Sequence, residues 1–403
     1  MTKKYLSLVV ASALSMLPVA TFASSTPDPN DDELIGLGPG SVPADLMELE
    51  EIRKSDSPSW PSMPTFENID LKLGADISFL SQRVNNNMGE DVATGGVVRF
   101  YGTWKPASKA GNENKLVFKV EYRDALSNLP PNALLFSAGA AGVSAPGYND
   151  RGAVLSNLYW GQQLFNNKFS YIAGIIDVSD YFDVYALVDP WTDFNNLAFS
   201  TNPSSPTPSQ GLGIAGRWLF DSNVYVLGSL ADINGNPHRP EDAFDSFFNT
   251  AEYFKHIEVG IIGSWNDRVN RNVHITLWQA DERKELGIDE DHGVAFSWNT
   301  EWHDWQPFIR GGYAKNGTAT LKKTMSIGFG KKVHANGDVF GVGLNWGNAA
   351  FSDKDQYTTE IYYKWNALKH ILIVPGVQYV YKPVNNSEQD HLWLVAVKAR
   401  VNF

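Results

Sequence analysis

The clearest feature of the sequence is an alternation of apolar and polar residues that begins near residue 69. From Ile69 to Phe79 every second residue is apolar, and Asp, Lys, Gly and Ser occupy the positions between them. A period of two places successive side chains on opposite faces of a β-strand. The first such segment therefore predicts a strand with one apolar face and one polar face.

The same alternation recurs as far as Phe403 and predicts about sixteen strands. We expect them to start near residues 69, 93, 115, 153, 167, 210, 221, 252, 271, 291, 304, 321, 337, 355, 370 and 391. An even number of antiparallel strands is typical of a closed single-chain barrel. The strand count therefore agrees with an all-β chain that closes on itself.

The lengths of the predicted connections separate a barrel from a soluble β-sandwich, because alternation alone fits both. Tight turns near 166–167, 221–223, 302–304 and 366–368 occur between much longer segments such as 125–152, 177–209 and 232–251. Short periplasmic turns and long external loops are the topology of outer-membrane barrels. We therefore predict a transmembrane antiparallel β-barrel over residues 65–403.

Hydropathy and charge agree with that assignment. Mean hydropathy is −0.26 and 13% of residues are aromatic, which suits strands with one lipid-facing and one lumen-facing side. The charged residues predicted to point outward all lie near strand ends: Asp124, Lys255, Lys323 and Asp338. The predicted inner face carries charges of both signs, among them Arg99, Glu258, Glu360 and Lys398, so the lumen must hold water. Any single inner charge is also explained by an ion pair within the wall.

The N-terminus predicts export. Lys3 and Lys4 precede an apolar stretch and a small-residue site, so we expect a signal peptide over 1–23 with cleavage after Ala23. A membrane anchor fits less well, because the apolar stretch is short and interrupted by Ser and Pro residues. Residues 24–64 are rich in Asp, Glu, Pro and Ser and predict an acidic periplasmic arm. Within it, residues 44–54 fit either a short helix or a disordered segment.

Several function classes find no support. The chain has no cysteine, so disulfides and thiolate metal sites are impossible. Its net charge of −12 argues against a nucleic-acid partner. The eight histidines are scattered and carry no catalytic or metal-binding motif. We therefore expect no enzymatic activity, no cofactor and no metal.

The long segment 177–210 is the main candidate for function. It combines five aspartates with Tyr, Phe and Trp residues, and loops of this length are usually functional or disordered. We expect it to fold into the barrel and narrow the bore, with aromatic faces against sugar rings and polar groups on sugar hydroxyls. The residues predicted to shape this selective zone are Glu121, Arg123, Asp177, Asp180, Asp183, Trp191, Asn195, Asn196 and Arg310.

Several segments resemble one protein family. The stretches 174–183, 194–199, 208–213, 360–365, 375–380 and 397–403 are similar, in this order, to motifs of the carbohydrate-selective (OprB-like) porins. The resemblance covers roughly residues 65–403. It implies a sixteen-stranded outer-membrane barrel, passive uptake of mono- or oligosaccharides, and a constriction formed partly by long loops.

The sequence leaves alternatives open. A general or ion-selective porin without sugar preference, or a non-conducting adhesin or structural barrel, also fits these residues. The expected partners are carbohydrate solutes, outer-membrane lipid and lipopolysaccharide, and the barrel-assembly machinery, which would read the strand ending in Phe403. Monomer and homotrimer both remain open.

Overall fold

The alternating segments form a β-barrel. In a computed structural model of the chain, the described residues are 69–403 except 86–87, 107–112, 221–222, 266 and 335–336. The predicted signal peptide at 1–23 and the acidic arm at 24–64 with its short helix lie outside the described residues. The strands are β1 (Leu71–Val84), β2 (Val92–Trp104), β3 (Asn114–Ala125), β4 (Gly152–Leu164), β5 (Phe169–Ile176), β6 (Gly211–Leu219), β7 (Val224–Asp232), β8 (Tyr253–Ile262), β9 (Asn272–Ala280), β10 (Asp291–Asn299), β11 (Trp305–Ala314), β12 (Leu321–Lys332), β13 (Val339–Ala349), β14 (Asp355–Leu368), β15 (Ile371–Tyr381) and β16 (His391–Asn402).

Each strand pairs antiparallel with its neighbours in the chain, and β1 pairs with β16 to close the barrel. The closing register runs from Asp76 opposite Asn402 to Val84 opposite Leu394. The predicted fold class is therefore confirmed. Predicted and observed strand starts differ by at most three residues. The largest difference is at β7, which is predicted near 221 and begins at Val224.

The two faces of the wall differ as the alternation predicts. On β9, Ile275 and Leu277 point outward and are exposed, whereas His274 and Thr276 between them point inward and are buried. The predicted inner charges behave in the same way, and Arg99, Glu258 and other members of that set are buried. The exposed surface of the barrel is therefore apolar, and its polar side chains are directed inward.

The connections differ in length between the two ends. One end has short turns such as 165–168, 300–304 and 369–370, and the other has the long connections 126–151, 177–210 and 233–252. The expected contrast rests on these three long connections. At the long-loop end, the connections 315–320 and 350–354 are as short as the opposite turns.

The α-helices of the described residues all lie in the long connections. Helix α1 (Pro131–Ser137) begins with a proline, whose missing N–H costs nothing at a first helical position. Helix α2 (Leu197–Ser200) is capped by the Asn196 side chain, and α3 (Ala243–Asp245) lies between a 3₁₀ turn and a π turn. No helix in the described ranges is long and apolar enough to cross a membrane.

The connections 126–151 and 177–210, which we call the helix loop and the inner loop, pack inside the barrel. Phe194 and Phe199 of the inner loop have ring centroids 4.8 Å apart. Phe194 also meets Tyr362 of β14 at 4.7 Å and Phe308 of β11 at 6.0 Å. Apolar contact with the wall therefore holds the inner loop in place, as the sequence predicts for 177–210.

A glycine in the wall provides a test of this packing. A Cβ at Gly341 would clash with Cε1 of Tyr362, and that ring is fixed because its hydroxyl donates to Asp193 Oδ1 at 2.9 Å. Overpacking of this kind usually costs about 1–3 kcal/mol. We expect Gly341→Ala to lower the free energy of unfolding by that amount, measured by urea unfolding in detergent micelles.

Gly89→Ala is the matched control, because a Cβ at Gly89 meets nothing within 4 Å. Equal stability of the two variants would show that the Tyr362 ring moves freely.

Candidate functional site

The inner loop leaves and re-enters the wall at one place. Ile176 of β5 pairs with Gly211 of β6, so the two ends of the loop are adjacent. Asp177 accepts hydrogen bonds from the backbone N–H of Ser179 at 2.9 Å and from the side-chain amide of Gln210. Asp177 therefore joins the first turn of the loop to its last residue, and it stays partly exposed.

Arg310 on β11 makes the densest set of contacts with the inner loop. Its guanidinium donates to the Asp183 carboxylate at 2.6 Å and to the carbonyl oxygens of Asp183, Phe199 and Thr201 at 2.9–3.0 Å. The same group lies over the Tyr185 ring, 4.4 Å from its centroid. A planar guanidinium with several fixed donors suits this task better than a lysine would. Arg310 therefore joins three separate points of the loop to the wall.

Asp183 is the loop's counterpart to Arg310. Its carboxylate is also hydrogen-bonded to His274 Nε2 of β9 at 2.8 Å, and it accepts a hydrogen bond from the side-chain amide of Asn202 at 2.9 Å. Burial alone disfavours the charge, but the Arg310 guanidinium and these hydrogen bonds hold the pKa of Asp183 below its ordinary value. The Asp183 backbone N–H donates to Glu258 of β8 at 3.2 Å. One residue thus contacts three strands.

A second anchor lies on β14, three strands along the wall from β11. The Glu360 carboxylate of β14 accepts the backbone N–H groups of Asn195 and Asn196 at 2.7 and 2.8 Å. The Asn196 side chain donates to Gln378 of β15 at 2.9 Å and accepts from the N–H of Ala198 at 3.0 Å. Lys398 of β16 adds bonds to two loop carbonyls, those of Pro190 and Asp193, at 2.7 and 3.1 Å.

The helix loop is joined to the inner loop. The Ala145 N–H donates to the Asn195 carbonyl at 2.7 Å, and the Leu197 N–H donates to the Val143 carbonyl at 2.8 Å. Gln356 of β14 bonds both the N–H and the carbonyl of Ala141, at 2.8 and 2.9 Å. The two loops therefore form one connected insert inside the barrel.

Trp191 of the inner loop lies against arginines of the opposite wall. The guanidinium carbon of Arg99 lies 4.5 Å from the centroid of the Trp191 ring, and the guanidinium carbon of Arg123 lies 5.8 Å from the same ring. Arg123 donates to Glu121 on the same strand, and Arg99 pairs with Asp76 at 2.8 Å. Contacts of this kind between a cation and an indole face are attractive.

Asp180 is a buried carboxyl group of the inner loop. It accepts a hydrogen bond from the Asn157 side chain at 3.2 Å. Burial raises the pKa of Asp180 well above its ordinary value, and the nearby Lys119 only partly offsets this, while Asp177 adds to it.

The nine predicted residues therefore fall into four places. Asp183 and Arg310 are in direct contact, and Asn195 and Asn196 meet Glu360. Glu121, Arg123 and Trp191 lie together on the opposite wall, while Asp177 and Asp180 lie near the loop base. Most of these side chains are buried and hold the loop. Whether any of them contacts a solute stays a prediction.

The sequence pattern alone does not identify the helix loop, nor the wall residues that hold the inner loop in place. The alternation placed Glu360 and Lys398 on the inner face, but no local pattern links them to residues 190–196. The signal for the helix loop is its apolar content, since Leu134, Leu135 and several alanines lie between polar ends. In the described ranges, no group of three or more His, Asp or Glu side chains is placed to hold a metal ion.

Comparison with known proteins defines the fold as porin-like. No protein-family model and no curated protein matches the chain. Among solved structures, the barrel is similar to that of Pseudomonas putida OprB in its high-pH structure, with a TM-score of 0.61, 13% identity, and coverage of 83% of this chain and 94% of that chain. It is also similar to a variant of Rh. blastica porin, with a TM-score of 0.54, 12% identity, and coverage of 83% and 100%.

The ion pair of Asp183 and Arg310 yields a stability prediction. Removing one partner of a buried, hydrogen-bonded pair costs about 3–5 kcal/mol. We expect Arg310→Ala to lower the free energy of unfolding by about that amount and to expose the inner loop to protease, measured by urea titration and limited proteolysis.

The matched control is Arg83→Ala, because Arg83 pairs with Asp91 at 2.8 Å while both side chains are largely exposed. Exposed pairs contribute only about 0–1 kcal/mol. Equal proteolysis of the two variants would contradict the anchoring role of Arg310.

Two aspartates of the inner loop predict opposite dependences on pH. The pKa of Asp180 is raised on folding, so its contribution favours the folded state at low pH and is lost as pH rises through the folded-state pKa. The pKa of Asp183 is lowered, so its contribution is present above the unfolded pKa and is lost as pH falls.

We therefore expect Asp180→Asn to stabilise the protein at neutral pH and Asp183→Asn to destabilise it. Unfolding midpoints measured between pH 4 and pH 8 test this, and the same sign for both variants at neutral pH would rule it out.

Proposed function

We propose that the chain is an outer-membrane porin through which small polar solutes, carbohydrates in particular, diffuse passively. The observation that carries the proposal is a closed barrel, apolar outside and charged inside, whose bore is narrowed by an inner loop bonded to opposite walls. Neighbours with this fold point to a channel rather than an enzyme, and OprB bears the name of the family that the sequence resembles.

The outer surface supports a membrane location. Exposed apolar side chains cover the outside of the wall, and exposed aromatic residues such as Trp104, Trp218, Tyr357 and Trp365 lie near strand ends. Aromatic girdles at the two interfaces are typical of outer-membrane barrels. Outward charges are placed near strand ends as well. Lys255, for example, is paired with Asp281 at 2.7 Å.

The side chains of the lumen support the transport of a polar solute that carries no net charge. They include partly exposed carboxylate and hydroxyl groups at Asp177 and Ser179 and a partly exposed ammonium at Lys364. Sugar hydroxyls both donate and accept, so they bond groups of either sign, each bond contributing about 0.5–1.5 kcal/mol. Weak binding of this kind permits transport, because a tightly held solute would block the pore.

The buried site residues have an indirect part in this proposal. Arg310, Asp183, Glu360 and Asn196 set the position of the inner loop, and that position sets the width of the bore. Phe403 follows β16, and its N–H donates to the Ala75 carbonyl at 2.9 Å. The assembly machinery is proposed to bind at β16. Monomeric and trimeric states both fit the barrel.

Single-channel recording in planar bilayers tests the function. We expect the protein to conduct in KCl and maltose to reduce the current with millimolar affinity, about −4 kcal/mol. Arg310→Ala should raise the conductance and its noise, because the released loop no longer narrows the bore. Arg83→Ala is again the control and should conduct like the parent protein.

The other outcomes are informative. Current that depends on the salt but not on maltose would favour a general or ion-selective porin. An absence of current, together with no sugar entry into liposomes, would favour a non-conducting barrel.

A further inference from the structure

A polar pocket lies at the long-loop end of the barrel, away from the lumen contacts described above. It lies between the connections 350–354 and 382–390 and has a volume of about 560 Å³. Small-molecule sites typically span about 300–1,000 Å³. Its charged and amide residues are Lys323, Asn348, Asp353, Lys354, Asp355, Lys382 and Asn386.

The pocket has unpaired positive charge. Lys323, Lys354 and Lys382 are all exposed, and none of them forms an ion pair with any described residue. Lys354 makes only a long bond to the Val384 carbonyl, at 3.4 Å. Asp355 is already bonded to the side-chain amide of Asn348 at 3.0 Å. The three ammonium groups are therefore available to an anion.

A second observation concerns Asn348. The residue is 6% exposed, and its Oδ1 has no hydrogen-bond partner in the described part of the chain. A buried acceptor without a donor is costly. Because Asn348 lines the pocket, a small rotation of its side chain would present this acceptor to an N–H or O–H group there. The register shift between Leu321 and Lys323 places Lys323 directly opposite Asn348. An acceptor and a cation therefore lie side by side.

The position of the pocket relative to the membrane indicates which kind of ligand it could bind. Lys323 lies on the outward face of β12. Tyr381, which directly precedes Lys382, and Tyr357 form an exposed aromatic pair with centroids 6.2 Å apart. Aromatic residues of this kind lie at headgroup level in membrane barrels. The pocket is therefore at the depth of the lipid headgroups, next to the outer surface of the wall.

We propose that this pocket binds the headgroup of a lipid that carries a phosphorylated sugar. The phosphate would meet Lys323, Lys354 and Lys382, and a sugar hydroxyl or amide N–H would donate to Asn348 Oδ1. Asp353 would accept further hydroxyls. The acyl chains would descend along the apolar outer face past Tyr357. The inference depends on the membrane location proposed above, but it does not depend on conduction.

Native mass spectrometry of the full-length protein in detergent tests the proposal. The probes are a phosphorylated acyl-diglucosamine lipid, the same lipid without phosphate, and phosphatidylglycerol. We expect the phosphorylated sugar lipid to bind best. The double variant Lys323→Gln/Lys382→Gln should weaken that binding about tenfold or more, since each cation near an anionic headgroup contributes substantially. Asn348→Ala should weaken sugar-lipid binding but leave phosphatidylglycerol unaffected.

The matched control is Lys331→Gln/Lys284→Gln, which removes two charges outside the pocket; Lys331 lies on the same strand and face as Lys323 but at the other end. An equal loss in the control, or equal binding of the lipid without phosphate, would overturn the proposal. A difference in gel mobility between boiled and unboiled samples shows that the variants are folded. A protein that conducts but does not bind the lipid would refute this inference alone, whereas one that binds without conducting would refute only the porin function.

Discussion

The closing pair of strands is the constraint on which the structure depends. A wall in lipid has no water to satisfy its backbone groups, so every N–H and C=O must bond within the sheet, and only a closed sheet leaves no free edge. The pairing of β1 with β16 meets this requirement. It also fixes which residues face inward, because a shift of one residue would turn every polar side chain of a strand toward the lipid.

The polar interior creates a second requirement, which the inner loop satisfies. Buried wall charges need partners, and the loop supplies carbonyl oxygens, N–H groups and the carboxylates of Asp183 and Asp193 in the required places. Arg310 and Lys398 meet mostly loop carbonyls, whereas Glu360 meets two loop N–H groups. Because most of these bonds involve the loop backbone, the path of the loop matters more to them than its side chains.

Local alternation explains how much of this could be predicted. The strands, the inward direction of Glu360 and the insertion of 177–210 follow from periods and compositions within a few residues. The anchors do not, because Asn195 and Glu360 are 165 residues apart and no local pattern pairs them. The sequence also suggested aromatic and amide groups open to a solute, whereas Trp191 and Asn195 are buried. The difference arises because packing of the loop against the wall uses the same groups that a sugar would.

The attachment of the inner loop to the last three strands has a consequence for the order of assembly. Residues 190–196 precede their partners on β14, β15 and β16 by 164 to 208 positions, so this part of the loop cannot dock until the C-terminal hairpins have formed. Such distant contacts slow folding, because chain closure must come before they form. The insert and the final seam of the sheet are therefore expected to become ordered together, as the concluding event of biogenesis.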